Sequence, residues 1–231
     1  MAKIRYLGHA AFEIKLTGLD GSEKTVLIDP WITNPLSPYH SVDEYLKTVE
    51  KIDYIIVTHD HGDHLGDTEK IAKATGAKVV AIYDLAVDLE NKGLSVIGAN
   101  VGGKLSIEDL FIVLTPAIHS AARGNPVGVV VSGKDARIYH AGDTGLFAEM
   151  AYIGELYKPD IAMLPIGGHF TMGVVEAVKA VELIKPKIAI PMHYNTFPPI
   201  RADPNEFKKN VEEKTTTKVV ILEPGQEYYY P

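Results

Sequence analysis

Short apolar runs alternate with amphipathic stretches along the whole chain. Lys3-Ile4-Arg5-Tyr6-Leu7, Phe12-Glu13-Ile14-Lys15-Leu16 and Val26-Leu27-Ile28 predict an opening series of strands, with a turn between Gly18 and Gly21. The continuous apolar run Tyr54-Ile55-Ile56-Val57 predicts a buried strand, and Leu65, Ile71, Ala72 and Ala74 recur at helical spacing over residues 65–74. Beyond it the pattern predicts strands at 78–82, 111–114, 128–131, 136–139, 161–164, 188–190 and 218–222. Helices are predicted at 85–91 (closed by Gly93), 146–156, 174–184 and 205–214, the last two punctuated by Pro186 and Pro204. Many short strands with helices between them imply a layered α/β protein in which helices cover sheets.

At 231 residues, without a linker-like tract, a like-charge block or a short internal repeat, the chain is expected to form one domain over 1–231. No apolar stretch reaches the ~18 residues that a membrane span needs, and the first residues lack a signal-peptide layout, so a cytoplasmic location is expected. A net charge of −7 argues against a broad electrostatic grip on a nucleic-acid polymer. With no cysteine, disulfides, thiolate ligands and a cysteine nucleophile are excluded.

The densest chemistry lies between Thr58 and His64, which read Thr-His-Asp-His-Gly-Asp-His. His59, His61, Asp63 and His64 are imidazole and carboxylate groups, the ligand types that hold zinc, manganese, iron or nickel. They fall on a predicted strand-to-helix turn. In extended backbone His59 and His61 share one face, and Asp63 and His64 follow where the chain turns. Asp60, by the same alternation, points away. Four ligands on one turn cannot fill two coordination shells, so more must come from elsewhere. His119, Asp143 (within His140-Ala141-Gly142-Asp143-Thr144-Gly145) and His193 each follow an apolar strand, the position where open α/β folds build sites.

This motif, followed by His119, Asp143 in a Gly-Asp-Thr context and His193, resembles the metallo-β-lactamase superfamily over nearly the whole chain. Gly8-His9-Ala10, Leu27-Ile28-Asp29-Pro30 and Gly167-Gly168-His169-Phe170-Thr171-Met172 are similar to a branch of small metal-dependent hydrolases related to the ascorbate-6-phosphate lactonases. The resemblance implies a four-layer αβ/βα sandwich, two mixed β-sheets packed face to face with helices on the outer faces. It also implies two divalent metal ions (Zn, Mn, Ni or Fe). His59, His61 and His119 would hold one, Asp63, His64 and His193 the other, and Asp143 would bridge them.

Two cations about 3.5–4 Å apart can share a water, lower its pKa towards neutrality and polarise the substrate oxygen. The expected activity is therefore metal-dependent hydrolysis of a small anionic ester, a phosphodiester first and a sugar-phosphate lactone as the alternative. A metabolite-binding or sensor protein without turnover is the reading of another class. Asp63, Asp143 and His169 are the expected catalytic residues, His169 because its glycine-rich run lets backbone approach a ligand and imidazole can donate a proton near neutral pH. Asp29 is expected to accept from a ligand imidazole, and His9, Thr171 and Arg123 to support the site or meet the substrate. His40 and His140, outside the motif's ligand positions, are expected to be structural or surface residues. No signal peptide, cap insertion, basic arm or flavin domain is evident, which argues against a secreted β-lactamase, a capped nuclease, a transfer-RNA processing enzyme and the iron redox branch. The Tyr228-Tyr229-Tyr230 stretch could mediate a homo-oligomer or pack on the chain's own sheet.

Overall fold

The computed structural model describes residues 1–107 and 109–231. In chain order its elements are β1 (Ala2–Gly8), β2 (Ala11–Thr17), β3 (Glu23–Ile28), α1 (Val42–Leu46), β4 (Tyr54–Val57), α2 (Gly62–Leu65), α3 (Thr68–Thr75), β5 (Lys78–Ile82), α4 (Tyr83–Asn91), β6 (Val96–Ala99) and β7 (Lys104–Ile107). There follow β8 (Leu110–Pro116), β9 (Val127–Ser132), β10 (Arg137–His140), α5 (Met150–Tyr157), β11 (Ile161–Pro165), α6 (Val174–Ile184), β12 (Ile188–Met192), α7 (Pro204–Lys214), β13 (Lys218–Val219) and β14 (Glu227–Tyr230).

Among the described residues the strands form two seven-stranded sheets, ordered β14-β1-β2-β3-β4-β5-β6 and β13-β12-β11-β10-β9-β8-β7. Each is mixed. In the first, β14 through β3 pair antiparallel and β3 through β6 parallel; in the second, β7 through β10 pair antiparallel and β10 through β13 parallel. Helices α3 and α4 pack on the parallel half of the first sheet, and α6 and α7 on that of the second, with α5 against α6. One continuous apolar core, from Ile4 and Phe12 through Ile56 and Val80 to Val130, Leu164 and Ile190, lies between and beneath these layers. This is the metallo-β-lactamase αβ/βα sandwich. The strands buried on both faces, such as Tyr54–Val57 and Ile161–Pro165, are those that read as continuous apolar runs.

Departures from the expected elements have local causes. The helix predicted over 65–74 is two helices, because the chain folds back at Gly66 (φ +47°), where an added Cβ would stand 2.7 Å from Trp31 Cα. Only Gly avoids both the left-handed penalty and that contact. The helix expected at 146 begins at Met150, and the strand expected over 218–222 pairs only at Lys218–Val219. The Tyr228-Tyr229-Tyr230 stretch pairs antiparallel with β1 of its own sheet. Among the described residues no helix is long and apolar enough to cross a membrane.

Candidate metal centre

Successive parallel strands end at one edge of the sandwich, and the residues just past those ends converge there. His9 follows β1, Asp29 follows β3, Thr58 and His59 follow β4, and Asp143 and His193 lie just past β10 and β12. Three of these, His9 (φ +56°), Asp29 (φ +46°) and His193 (φ +53°), adopt the left-handed region that non-glycine residues rarely enter. Such backbone costs on the order of 1–3 kcal/mol and persists where surrounding structure enforces it, often at functional sites.

The side chains gather in overlapping groups. Ligand atoms of His59, His61 and His119 lie within 4.8 Å of one another, as do those of His9, Asp63, His64 and His193, and those of His59, His64 and Asp143. His59, His64, Asp143 and His193 are buried, and His61, Asp63 and His119 are half-buried. Asp143 lies between the groups. Its Oδ1 is 3.1 Å from His64 Nε2, and its Oδ2 is 3.1 Å from His193 Nε2 and 3.4 Å from His119 Nε2.

These short separations lack well-formed hydrogen-bond geometry, although opposite charge draws the groups together. Asp143 Oδ1, His64 Nε2 and both ring nitrogens of His193 are buried without a hydrogen-bond partner among the described residues. Buried polar atoms left in this state cost roughly 1–3 kcal/mol each unless something else satisfies them. Imidazole nitrogens and carboxylate oxygens converging on a common space, with buried atoms among them left without a partner, suit a divalent cation. The residues present therefore fit the metal that the motif implies.

A second ring of contacts fixes which imidazole nitrogen faces inward. Asp29, fully buried, accepts from the Thr58 backbone N–H (2.8 Å), from the Thr58 hydroxyl (2.7 Å) and from His64 Nδ1–H (2.7 Å). Because the Thr58 hydroxyl gives its proton to Asp29, its oxygen accepts from His59 Nδ1–H at 3.1 Å. His59 is thereby held with Nε2 unprotonated toward the cluster, and His64 is held with Nε2 facing Asp143, where a bound cation would take the place of its proton. On the other side His9 Nε2–H donates to Asp63 Oδ2 (3.0 Å), its Nδ1 accepts from the Thr196 hydroxyl (2.8 Å), and its carbonyl accepts from the His193 N–H (2.8 Å). His9 thus ties Asp63 to the loop that carries His193.

Charge follows this geometry. Burial pushes His59 down to about 3 and His9 down to about 4, the latter against the pull of Asp63, so both are neutral, which suits His59 as a ligand and His9 as a donor to Asp63. For His64 burial acts in the same direction, but the carboxylates of Asp143 and Asp29 outweigh it and raise its pKa in the metal-free protein. Burial opposes ionisation of Asp143, yet His64 and His193 hold its carboxyl well below the usual range. Asp63 is likewise lowered, against burial, by His9 and His64.

Other expected site residues are placed elsewhere. Asp60 points away from the cluster and accepts from the Ala122 N–H (2.9 Å) and from Arg123 (3.2 Å). Arg123, expected to meet an anionic substrate, is instead held by Asp60 and by Asp88 (3.3 Å). His169 is exposed, with its ring edge-on to Phe170 at 4.3 Å, and does not line the cavity over the cluster. Thr171 is half-buried and bonds to the Met172 carbonyl at 3.3 Å. His140 is buried and structural, bonded to the Ala10 carbonyl at 2.9 Å, and His40 lies on the surface. The cavity, about 340 Å³, is lined by His61, Asp63, His119, Ser120, Asp143, Phe170, His193 and Phe197. The roles of Thr58 and Thr196, and the positions of Phe170 and Phe197, were not read from the sequence. Thr58 had a signal, a hydroxyl at the end of an otherwise apolar strand. Phe197, in a proline-flanked loop, had none.

Comparison with known proteins places these features in context. Residues 24–194 match the model of the beta-lactamase superfamily domain. The chain is 69% identical over 231 residues to a UPF0173 metal-dependent hydrolase of Staphylothermus marinus, covering 100% of both chains. It is 60% identical, again across 100% of both, to one from Thermofilum pendens. Among solved structures, Igni18, described as a novel metallo hydrolase from Ignicoccus hospitalis, superposes with a TM-score of 0.92 at 48% identity, over 100% of this chain and 99% of that one.

Proposed function

The chain belongs to the UPF0173 metal-dependent hydrolases of the β-lactamase superfamily, and from that premise we propose that its histidine and aspartate cluster holds two divalent cations and hydrolyses a small anionic ester, a phosphodiester. The observation that carries this reading is Asp143, whose Oδ1 lies 3.1 Å from His64 Nε2 and whose Oδ2 lies 3.1 Å from His193 Nε2 and 3.4 Å from His119 Nε2, with Oδ1, His64 Nε2 and His193 Nε2 buried and without a well-formed hydrogen bond among the described residues. His59, His61 and His119 would hold one ion and Asp63, His64 and His193 the other. Cations bound there supply Lewis acidity and a water acidic enough to attack at neutral pH.

The chain's own groups divide the remaining work. Asp29 and Thr58 keep the His59 and His64 lone pairs aimed inward. His9 holds the Asp63 carboxylate in place. The half-buried His61, Asp63 and His119 line the cavity where a substrate of small size enters. With Arg123 occupied by Asp60 and Asp88, no lysine or arginine among the described residues lines the cavity, so attraction for an anion would rest on the cations held there.

The test is metal content by mass spectrometry joined to hydrolysis of bis-p-nitrophenyl phosphate, with wild type and Asp143→Ala reloaded with Mn, Zn, Ni or Fe. Two equivalents bound and turnover lost in the variant support the reading. Less than one tightly bound equivalent in wild type overturns it, and turnover of lactones but not phosphodiesters overturns the substrate assignment.

A further inference from the structure

The cavity over the cluster has two aromatic side chains that the ligand set does not use. Phe170 is 54% exposed. Single exposed apolar residues are common on surfaces and need no explanation. Phe170 and Phe197 differ from that case because two separate loops carry them to the same small cavity.

Both are held in place. Phe170 sits on the loop after β11, where Gly168 (φ +65°) and His169 (φ +60°) turn in succession and the Phe170 N–H bonds back to the Gly168 carbonyl at 2.6 Å. The loop closes on itself through the Gly167–Gly173 bridge and the Gly168 N–H to Met172 carbonyl bond (2.9 Å). Its Met172 N–H then bonds to the carbonyl of Thr144, the residue after Asp143, at 2.9 Å. Phe170 is thereby fixed relative to Asp143. Phe197, on the loop after β12, stacks on Trp31 (5.9 Å, 26°) and meets the His9 ring edge at 5.5 Å.

We propose that Phe170 and Phe197 form an aromatic subsite, selecting substrates that carry a flat apolar group of aryl size beside the bond to be cleaved. This rests on the metal-dependent hydrolase reading of the same site. The metals would supply the attraction for the anionic end, and the two rings are the apolar surface that the described residues put on the cavity wall. Offset or edge-to-face contact with an aromatic group stabilises by about 0.5–1.5 kcal/mol per pair beyond area burial. Two such contacts translate into roughly tenfold or more in affinity.

Binding tests this without turnover. Trp31 is the chain's single tryptophan and lies against Phe197, so its fluorescence reports occupancy of the subsite. Metal-loaded wild type is titrated with phenylphosphonate and with methylphosphonate by calorimetry, and Trp31 emission is followed in parallel. The expected result is at least about tenfold tighter binding of the phenyl compound, with a change in Trp31 emission that methylphosphonate does not produce. In Phe170→Ala with Phe197→Ala the preference falls to near unity while metal content and circular dichroism stay as in wild type. Equal affinities in wild type, no saturable binding of phenylphosphonate, or a preference that survives in the double variant would each overturn the proposal. Failure of the hydrolase reading shows separately, as absent phosphodiester turnover by protein that still prefers the phenyl compound.

Discussion

Asp29 Oδ2 lies 2.7 Å from Nδ1 of His64 and 2.7 Å from the hydroxyl of Thr58, so one buried carboxylate sets the orientation of His64 directly and of His59 through Thr58. Burial alone would raise its pKa, but the neighbouring His64 holds it below the usual range, so the carboxylate is ionised. A ligand imidazole hydrogen-bonded to a carboxylate is both oriented and made more basic. Asp29→Asn keeps the shape and removes the charge. We expect it to weaken metal binding by about 10–100-fold, measured by competition with a chromophoric chelator. An unchanged affinity would mean that the Thr58 and His64 contacts only fill space.

Backbones pass close beneath the centre at Gly167. A Cβ there would stand 2.3 Å from the His193 carbonyl oxygen and 2.8 Å from Ile200 Cβ. Neither neighbour is the end of a flexible side chain. Gly167→Ala must shift the segment that carries His193, at a cost of about 1–3 kcal/mol, and loosen one ligand. The expected result is a lower urea midpoint together with faster metal loss to chelator. A variant that matches wild type on both counts would show that the loop yields freely.

Much of this was legible in the sequence because the strands that carry the site are buried on both faces and so read as unbroken apolar runs. Tyr54–Val57, Ile161–Pro165 and Ile188–Met192 are of this kind. Two of the edge strands were not legible. Val96–Ala99 and Lys104–Ile107 each bury a single residue fully, so neither carries a continuous run or a clean alternation. At the site, the histidines and aspartates stood out by type and by place after strands. Of their supports Asp29 and His9 stood out too, but the hydroxyls of Thr58 and Thr196 did not, because pairs such as His9 with Thr196 are 187 positions apart in the chain and only folding brings them together.

A buried charge cluster on the first sheet was equally hidden. Glu13, only 1% exposed, is paired with Arg5 and accepts from the Tyr45 hydroxyl at 2.8 Å, while Arg5 also reaches Tyr39 at 3.2 Å. Replacing one partner leaves the other charged and buried. Arg5→Met should cost about 3–5 kcal/mol, whereas Arg5→Met with Glu13→Leu should recover most of it, since well-packed apolar pairs often replace buried ion pairs without loss. Urea unfolding of the single and double variants decides this, and a double variant no more stable than the single would refute the pairing argument.

Stability should also depend on pH through His140. The ring is fully buried, with Nε2–H donating to the Ala10 carbonyl (2.9 Å) and Nδ1 accepting from the Gly142 N–H (3.1 Å), so both nitrogens are used by the neutral form. Burial lowers its pKa, against the pull of Asp29 and the Ala10 carbonyl. In the unfolded chain the same imidazole titrates near 6.5, taking up as pH falls a proton that the native state refuses. Its contribution is therefore fully present above about pH 6.5 and lost progressively as pH falls toward the native value. In the metal-free protein His9 and His59 act in the same direction, while His64, with its raised pKa, acts in the opposite one. The comparison that isolates His140 is the metal-free wild type against His140→Gln, whose amide can both donate and accept without titrating. Between about pH 8 and pH 5, the wild-type urea midpoint should fall more steeply than that of the variant. Parallel curves would place the acid sensitivity in other groups.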